Sequence, residues 1–146
     1  MNSQNANGRD PTKPLKNKRI FLVEDDVSNL AIASTLLQKA GATVGFSHWG
    51  GSTLSKLALM APLDIILLDL NLEHGVSGYD VFDSIREKHQ FADVPIIAVS
   101  ALDPSIAMPE VRKRGFSGFI SKPIEFNLFA EQIATVIEGN EIWYAV

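Results

Sequence analysis

The stretch Asp64-Ile65-Ile66-Leu67-Leu68-Asp69 decides how this chain folds. Four apolar residues stand between two acids, and a short apolar run of this kind indicates a strand that is buried on both faces, as in a parallel sheet. Asp64 enters the strand, and we expect it to be solvated. Asp69 leaves the strand and leads into a loop, residues 71–78, at the edge of the sheet where open α/β folds bind ligands.

Other segments on both sides of this strand alternate between strand and helix patterns. Strands are predicted at Arg19–Val23, Thr43–Ser47, Val94–Ser100 and Gly118–Ser121. Helices are predicted from Asp26 to Gly41, from Ser52 to Met60, from Tyr79 to Lys88, from Asp103 to Gly115 with Pro109 early in it, and from Glu125 to Glu138. Five β-α units in succession predict an α/β fold, with a doubly wound, five-stranded parallel sheet and helices on both faces.

The length of 146 residues fits one domain with short tails. We expect residues 1–17 to form a disordered polar and basic tail, residues 18–139 to form the domain, and residues 140–146 to form a second tail. Trp143 and Tyr144 in that last segment are expected to cover part of the domain rather than to form a docking motif.

Charge and composition exclude several classes of protein. Residues 1–19 hold five of the 13 basic residues and only one of the 17 acidic ones, so the domain itself is acidic and a nucleic-acid partner is not expected. No apolar run approaches the roughly 20 residues of a membrane span, and no signal peptide is visible. The absence of cysteine excludes disulfides and thiolate metal sites and is typical of a cytoplasmic protein, which is our expectation.

Polar side chains follow the predicted strands at the points where they end. Glu24 and Asp25 follow the first strand, Asp69 the third, Ser100 ends the fourth, and Lys122 follows the fifth. In a parallel sheet these ends share one edge, so the side chains can converge. Each residue alone has an ordinary interpretation, such as a helix cap, a turn or a surface charge, but their joint placement favours a functional site.

Three carboxylates in one cleft repel one another, and a hard cation such as Mg²⁺ relieves that repulsion while retaining waters for an incoming phosphate. A lysine and a hydroxyl opposite them would complete an anion site of phosphoryl size. Asp69 is the candidate nucleophile, because aspartate can form an acyl phosphate.

Four segments resemble the bacterial response-regulator receiver domain, the CheY-like family, in its stand-alone form. The segments are Val23-Glu24-Asp25-Asp26, Leu67-Leu68-Asp69-Leu70-Asn71-Leu72, Ala98-Val99-Ser100-Ala101 and Gly118-Phe119-Ile120-Ser121-Lys122-Pro123. The resemblance covers residues 18–138. It implies a flavodoxin-like (βα)5 fold with strand order 2-1-3-4-5.

The resemblance also implies the role of each acid at the site. Asp69 corresponds to the phosphoacceptor of the family. Glu24, Asp25, Asp69 and the backbone carbonyl of Asn71 correspond to the ligands of Mg²⁺, with Mn²⁺ as the alternative ion. Glu24 stands where the family more often has Asp.

The remaining motif residues correspond to the signalling parts of the family. Ser100 would donate a hydrogen bond to the phosphoryl group, Lys122 would pair with it, and the Lys122–Pro123 peptide bond would be cis. Ser100 and Phe119 would form the switch. Because Phe119 has no hydroxyl, the switch would have to act through burial of its ring.

The loop Leu72–Gly78 departs from the family pattern. It lacks the usual proline and is one residue longer. His74 within it is expected to be an exposed loop residue rather than a proton donor.

The resemblance implies a phosphoryl-accepting response regulator of a two-component phosphorelay, a signalling switch rather than an enzyme. A sensor histidine kinase or phosphotransfer protein would donate to Asp69, and a target protein would read the fourth helix, fifth strand and fifth helix. No nucleic acid and no membrane is expected as partner.

Three other functions remain open from the residues. A Mg²⁺-dependent aspartyl-phosphate phosphohydrolase would want a second acid where Asn71 stands, and a flavodoxin-like cofactor binder would place phosphate beside the repelling acids of residues 24–26. A receiver-like adaptor that acts without phosphorylation is disfavoured by the complete set of acid, hydroxyl and lysine.

Overall fold

The computed structural model describes residues 10–145, without the side chain of His74. One parallel sheet of six strands in the order β2-β1-β3-β4-β5-β6 forms its centre. The strands are β1 Arg19–Val23, β2 Thr43–Ser47, β3 Ile65–Leu68, β4 Ile96–Ser100, β5 Gly118–Ser121 and β6 Ile142–Tyr144. The helices are α1 Val27–Lys39, α2 Thr53–Met60, α3 Gly78–Arg86, α4 Pro104–Arg114 and α5 Phe129–Ile137. No helix in this part of the chain is long and apolar enough to cross a membrane.

The central strand β3 is buried along its whole length, as its apolar run predicts. It pairs with β1 on one side and with β4 on the other. Asp64, just before it, is half-buried, and its Oδ2 accepts a hydrogen bond from the Arg19 N–H at 2.8 Å. Asp64 therefore ties the start of β3 to the start of β1.

Two hydrophobic cores lie on opposite faces of the sheet. Ile65 and Leu67 point to the core covered by α1 and α5, which we call the α1–α5 face. Ile66 and Leu68 point to the core covered by α2, α3 and α4, the α2–α3–α4 face. Successive strand residues alternate in this way because their side chains leave opposite sides of the pleat. Each fully buried aliphatic side chain contributes about 1.5–3 kcal/mol, so the two cores together hold the strand ends at fixed positions.

Local signals start the helices where the sequence predicts, with two differences. Asp26 caps α1 by accepting the Asn29 N–H at 2.8 Å, as predicted. Ser52 makes no side-chain cap to α2, and the hydroxyl of Thr53 instead accepts the Gly50 N–H and donates to the His48 carbonyl. Pro109 is not early in its helix as predicted. Pro104 begins α4, and Pro109 lies in its interior, where a proline removes a helical hydrogen bond.

The N-terminal segment is ordered over the part that the structure describes. The Leu15 side chain is fully buried, and its N–H donates to the Ala40 carbonyl at 2.9 Å. Gly41 has φ +103°, and a Cβ there would lie 2.9 Å from the Lys16 Cα, so the segment packs directly on the end of α1. Residues 10–17 therefore pack on the domain through one buried leucine, although their composition predicts a disordered tail. Residues 1–9 lie outside the described part.

The C-terminal segment adds a strand that was not predicted. Gly118, Phe119 and Ile120 of β5 pair in parallel with Ile142, Trp143 and Tyr144. The predicted order 2-1-3-4-5 is confirmed for the first five strands. The sixth strand covers the edge of β5, where an open ladder of backbone groups would otherwise face solvent.

Candidate phosphoryl-acceptor site

The carboxyl ends of β1 and β3 bring Glu24 and Asp69 together. The Asp69 N–H donates to the Val23 carbonyl at 3.1 Å, and the Glu24 N–H donates to the Ser47 carbonyl at 3.2 Å, so ladder hydrogen bonds fix both backbones. Each acid is only 8% exposed. Lys122, just beyond β5, reaches both of them: its Nζ lies 3.0 Å from Glu24 Oε2 and 3.3 Å from Asp69 Oδ2. Three residues that are far apart in sequence therefore form one ion-paired cluster.

A cavity of about 290 Å³ opens beside this cluster. The described residues that line it are Glu24, Asp25, Asp26, Asn29, Asp69, Asn71, Glu73, Ala101 and Lys122. Acids dominate this set, and the lysine is the basic residue among them. The cavity therefore has room for a small group beside Asp69 and an excess of negative side chains around it.

Asp25 is held in this cavity by the loop that follows β3. Its Oδ2 accepts the Glu73 N–H at 2.5 Å. Its Oδ1 is buried and has no hydrogen-bond partner among the described residues. The Nδ1 of His48 lies 3.5 Å from that oxygen, which is a charge contact only when the imidazole is protonated. Asp25 thus presents a buried oxygen whose bonding capacity is unused.

Asn71 and its loop close tightly around Asp69. The Asn71 N–H donates to Asp69 Oδ1 at 3.1 Å. The Gly78 N–H donates to the Leu70 carbonyl at 2.9 Å, and the Leu72 N–H donates to the Val76 carbonyl at 3.3 Å. The loop that lacks the family proline is therefore closed by its own backbone hydrogen bonds. The side chain of His74 lies outside the described part.

Ser100 and Phe119 lie near the site without reaching the cavity. The Ser100 side chain is fully buried, its Oγ accepts the Leu102 N–H at 3.1 Å, and it is not among the described residues that line the cavity. Its carbonyl accepts the Lys122 N–H at 2.8 Å. Phe119 is fully buried on the α2–α3–α4 face. Glu24 and Asp69 thus contact Lys122 directly, whereas Ser100 contacts this cluster through the backbone of Lys122. The Lys122–Pro123 bond is cis, as predicted.

Two groups at the site were missed from sequence. His48 follows β2 and so lies at the same edge of the sheet, and this position after a strand was the signal that could have identified it. The Glu73 N–H has no sequence signal, because its contact with Asp25 spans 48 positions and depends on how the loop folds.

Electrostatics at the site centre on Glu24. Burial raises the pKa of the Glu24 carboxyl above its ordinary value, the neighbouring Asp69 charge raises it further, and the hydrogen bond from Lys122 opposes both effects. The negative charges are therefore only partly balanced by the lysine, and the charged form of Glu24 is held in the fold at a cost.

We expect Glu24→Gln to stabilise the metal-free protein at pH 7 by about 1 kcal/mol in urea unfolding. Because the pKa is higher in the folded state, the contribution of Glu24 to stability is fully present below its unfolded pKa and is lost as pH rises through the folded pKa. The advantage of the glutamine variant should therefore shrink as pH falls from 7 towards 4. A constant difference across this range would contradict the assignment.

Gly78, at the start of α3, lets that helix approach Asp69. A Cβ on Gly78 would lie 2.5 Å from both the Asp69 carbonyl oxygen and the Leu70 Cα. Both are backbone atoms, so relief requires the main chain to move. We expect Gly78→Ala to lower the free energy of unfolding by about 1–3 kcal/mol. Gly50→Ala is the matched control, since a Cβ there meets open space among the described residues. Equal behaviour of the two variants would contradict the prediction.

The donor set suits a hard cation, although the side chains are not arranged as a finished metal centre. Within residues 10–145 no group of three or more His, Asp or Glu side chains stands in a metal-holding arrangement. Lys122 bridges Glu24 and Asp69 instead. The buried and unpartnered Oδ1 of Asp25, together with the excess of acids around the cavity, nevertheless fits an oxygen-liganded divalent ion.

Comparison with known proteins places the chain in a family. Residues 20–134 match the family model of the response regulator receiver domain. The chain belongs to the receiver domain family. As a receiver domain it is a phosphoryl-accepting switch of two-component signalling, in agreement with the resemblance of its motifs. This favours the leading interpretation over a phosphohydrolase or a flavodoxin-like cofactor binder.

Relatives of this receiver domain are similar over most of their length. The polar-differentiation response regulator DivK of Brucella ovis is 29% identical over 120 residues, which cover 82% of this chain and 96% of that protein. The chemotaxis response regulator CheY4 of Vibrio cholerae superposes with a TM-score of 0.71 at 25% identity, covering 82% of this chain and 98% of that chain. A response regulator from Desulfuromonas acetoxidans gives a TM-score of 0.71 at 22% identity, over 83% and 97% of the two chains, and supports the fold alone.

Proposed function

We propose that Asp69 is the residue that accepts the phosphoryl group. The observation that carries this proposal is the contact of the Asp69 carboxylate with Lys122 at 3.3 Å, beside a cavity of about 290 Å³. One lysine beside the acceptor can pair with the charge that the phosphoryl oxygens bring. The backbone of the acceptor is fixed by the ladder, so its carboxylate is presented in a constant position.

The donor is a phosphohistidine of a sensor histidine kinase or a phosphotransfer protein. An oxygen of the Asp69 carboxylate bonds to phosphorus while the P–N bond breaks, and the imidazole leaves with the electron pair and takes up a proton. Lys122 pairs with a phosphoryl oxygen and at the same time keeps Glu24 neutralised. Beyond its own phosphorylation and dephosphorylation the chain catalyses no reaction.

A divalent ion, Mg²⁺ or alternatively Mn²⁺, belongs to this site. Glu24, Asp25, Asp69 and the carbonyl of Asn71 are the groups that would hold it, with the unused Oδ1 of Asp25 as supporting observation. When bound, the ion neutralises the phosphoryl oxygens during transfer. In the chain itself, the Glu73 N–H orients Asp25 and the Asn71 N–H orients Asp69.

Ser100 and Phe119 form the switch in this proposal. The Ser100 hydroxyl, bonded to the Leu102 N–H in the described state, turns towards the phosphoryl group when Asp69 carries one. The space that it leaves admits the ring of Phe119. Phosphorylation thus shifts the population between two arrangements of one packed core.

An apolar rim beside the site supports docking of the donor protein. Ile32 of α1 and Phe126 of the loop before α5 are 40% and 63% exposed. They line a cleft of about 100 Å³ that is shared with Glu24, Asp69 and Lys122. A kinase or phosphotransfer helix that packs on this rim would bring its histidine to Asp69. The target protein would read the surface formed by α4, β5 and α5.

Mapping of the phosphoryl group tests the acceptor directly. The protein is incubated with acetyl phosphate and Mg²⁺, and the modified residue is trapped by borohydride reduction and located by mass spectrometry. We expect the modification at Asp69. Modification of Glu24, Asp25 or Asp26 instead would overturn the assignment.

A further inference from the structure

The short last strand, β6, completes both cores at the edge of β5. Ile142 and Tyr144 pack on the α1–α5 face, whereas Trp143 packs on the α2–α3–α4 face. All three side chains are half-buried. The strand therefore covers the β5 edge, with Trp143 on one face of the sheet and Ile142 and Tyr144 on the other.

Trp143 contacts the two elements that flank the switch. It pairs in register with Phe119, and both residues lie on the α2–α3–α4 face, so the two side chains are adjacent across the strands. The guanidinium carbon of Arg112, on α4, lies 4.3 Å from the centre of the Trp143 ring, which is a cation–π contact. Trp143 thus connects β5 with α4.

The strand β6 is short and only partly buried. It has three residues, all with half-buried side chains, and elements with few buried contacts open locally at a fraction of the global unfolding free energy. The indole N–H of Trp143 donates to Glu141 Oε1 at 3.1 Å, within the same segment. Release therefore leaves this donor with its partner.

We propose that β6 is a releasable cover of the β5 edge and that phosphorylation of Asp69 favours its release. This inference rests on the proposed function. Phe119 pairs with Ala98 on its inner side and with Trp143 on its outer side, and Ser100 lies diagonally inward on the same sheet face. A movement of the Phe119 ring towards the space left by Ser100 is a movement away from Trp143. The packing that holds β6 is reduced, and the uncovered edge offers its backbone groups to an extended segment of a target protein.

Solvent access to Trp143 reports the release. The chain has two tryptophans, so full-length Trp49→Phe leaves Trp143 as the fluorophore. Beryllofluoride with Mg²⁺ serves as the phosphoryl mimic, and its binding is recorded independently by fluorine NMR. We expect acrylamide quenching of Trp143 to rise about twofold or more when the mimic is bound, and no rise in an Asp69→Asn background. Unchanged quenching in a chain that visibly binds the mimic overturns the inference.

A variant of Gly118 tests the coupling in the opposite direction. A Cβ there would overlap the carbonyl oxygen of Ile142, and the three nearest atoms all belong to Ile142, so Gly118→Ala displaces β6 without touching the acids. Because coupling between two sites is reciprocal, we expect high quenching without the mimic and an affinity for beryllofluoride that is about fivefold higher or more. Accessible Trp143 with wild-type affinity for the mimic would overturn the coupling.

A surface variant repeats this test without change to the sheet. Arg112→Gln removes the cation–π contact, and Lys113→Gln removes a neighbouring exposed charge of α4 as the matched control. We expect higher Trp143 quenching and tighter mimic binding in the Arg112 variant only. Equal effects of both variants would show a general charge effect and overturn the inference. Phosphoryl mapping to Asp69 is read separately, so failure of the proposed function is recognised on its own.

Discussion

Asp69→Asn is expected to abolish phosphorylation by acetyl phosphate and Mg²⁺, with a loss of about a thousandfold or more. The amide has no carboxylate oxygen that can form an acyl phosphate. Removing this negative charge also relieves the repulsion with Glu24, so the variant should unfold at a higher urea concentration than the wild type. Loss of activity thus comes with a gain of stability, which separates a chemical defect from a folding defect.

The other end of the same strand provides the matched control. Asp64→Asn makes the same chemical change, and its amide oxygen can still accept the hydrogen bond from the Arg19 N–H. We expect this variant to be phosphorylated at the wild-type rate, measured by phosphoprotein gel or intact mass. Phosphorylation of the Asp69 variant at that rate would show the acceptor assignment to be wrong.

Lys122→Met is expected to slow phosphorylation about 100-fold, the usual cost of losing one charge-stabilising donor. The same change leaves the carboxylates of Glu24 and Asp69 without their shared cation. We expect a loss of about 2 kcal/mol in unfolding free energy at pH 7 without metal, below the value for fully buried pairs because the cavity is open to solvent.

Magnesium distinguishes this electrostatic role from a purely structural one. In the variant, Mg²⁺ should raise the melting temperature more than in the wild type, because the ion supplies the positive charge that the lysine no longer provides. Lys56→Met, at an exposed position of α2, is the control and should change neither rate nor magnesium response. Equal magnesium shifts in the Lys122 variant and the wild type would contradict this account.

The core of the site could be predicted because it depends on topology rather than on side-chain detail. Glu24, Asp69 and Lys122 each follow a parallel strand, and parallel strand ends converge whatever the local register is. The position of Ser100 could not be predicted in the same way. Its Oγ accepts a hydrogen bond from the Leu102 N–H, and the conformation of the loop after β4 determines this contact.

Two features that sequence patterns did not indicate, the packing of the N-terminal segment and the strand β6, each depend on a single residue. Leu15 orders a segment whose composition predicts disorder, because one fully buried side chain compensates for many polar neighbours. The strand β6 has only three residues, and it can pair with β5 because Gly118, opposite Ile142, has no side chain. Neither contact leaves a periodic signal.

The sequence by itself determined the five β-α units, their parallel sheet and the acids and lysine at one edge of it. These follow from apolar runs and from the residues that end them, which act locally. Tertiary structure alone decided that Lys122 bridges Glu24 and Asp69, that Asp25 keeps an unpartnered oxygen, and that Trp143 lies in register with Phe119. These contacts join residues far apart in the chain, and only the packing of the whole sheet brings them within reach.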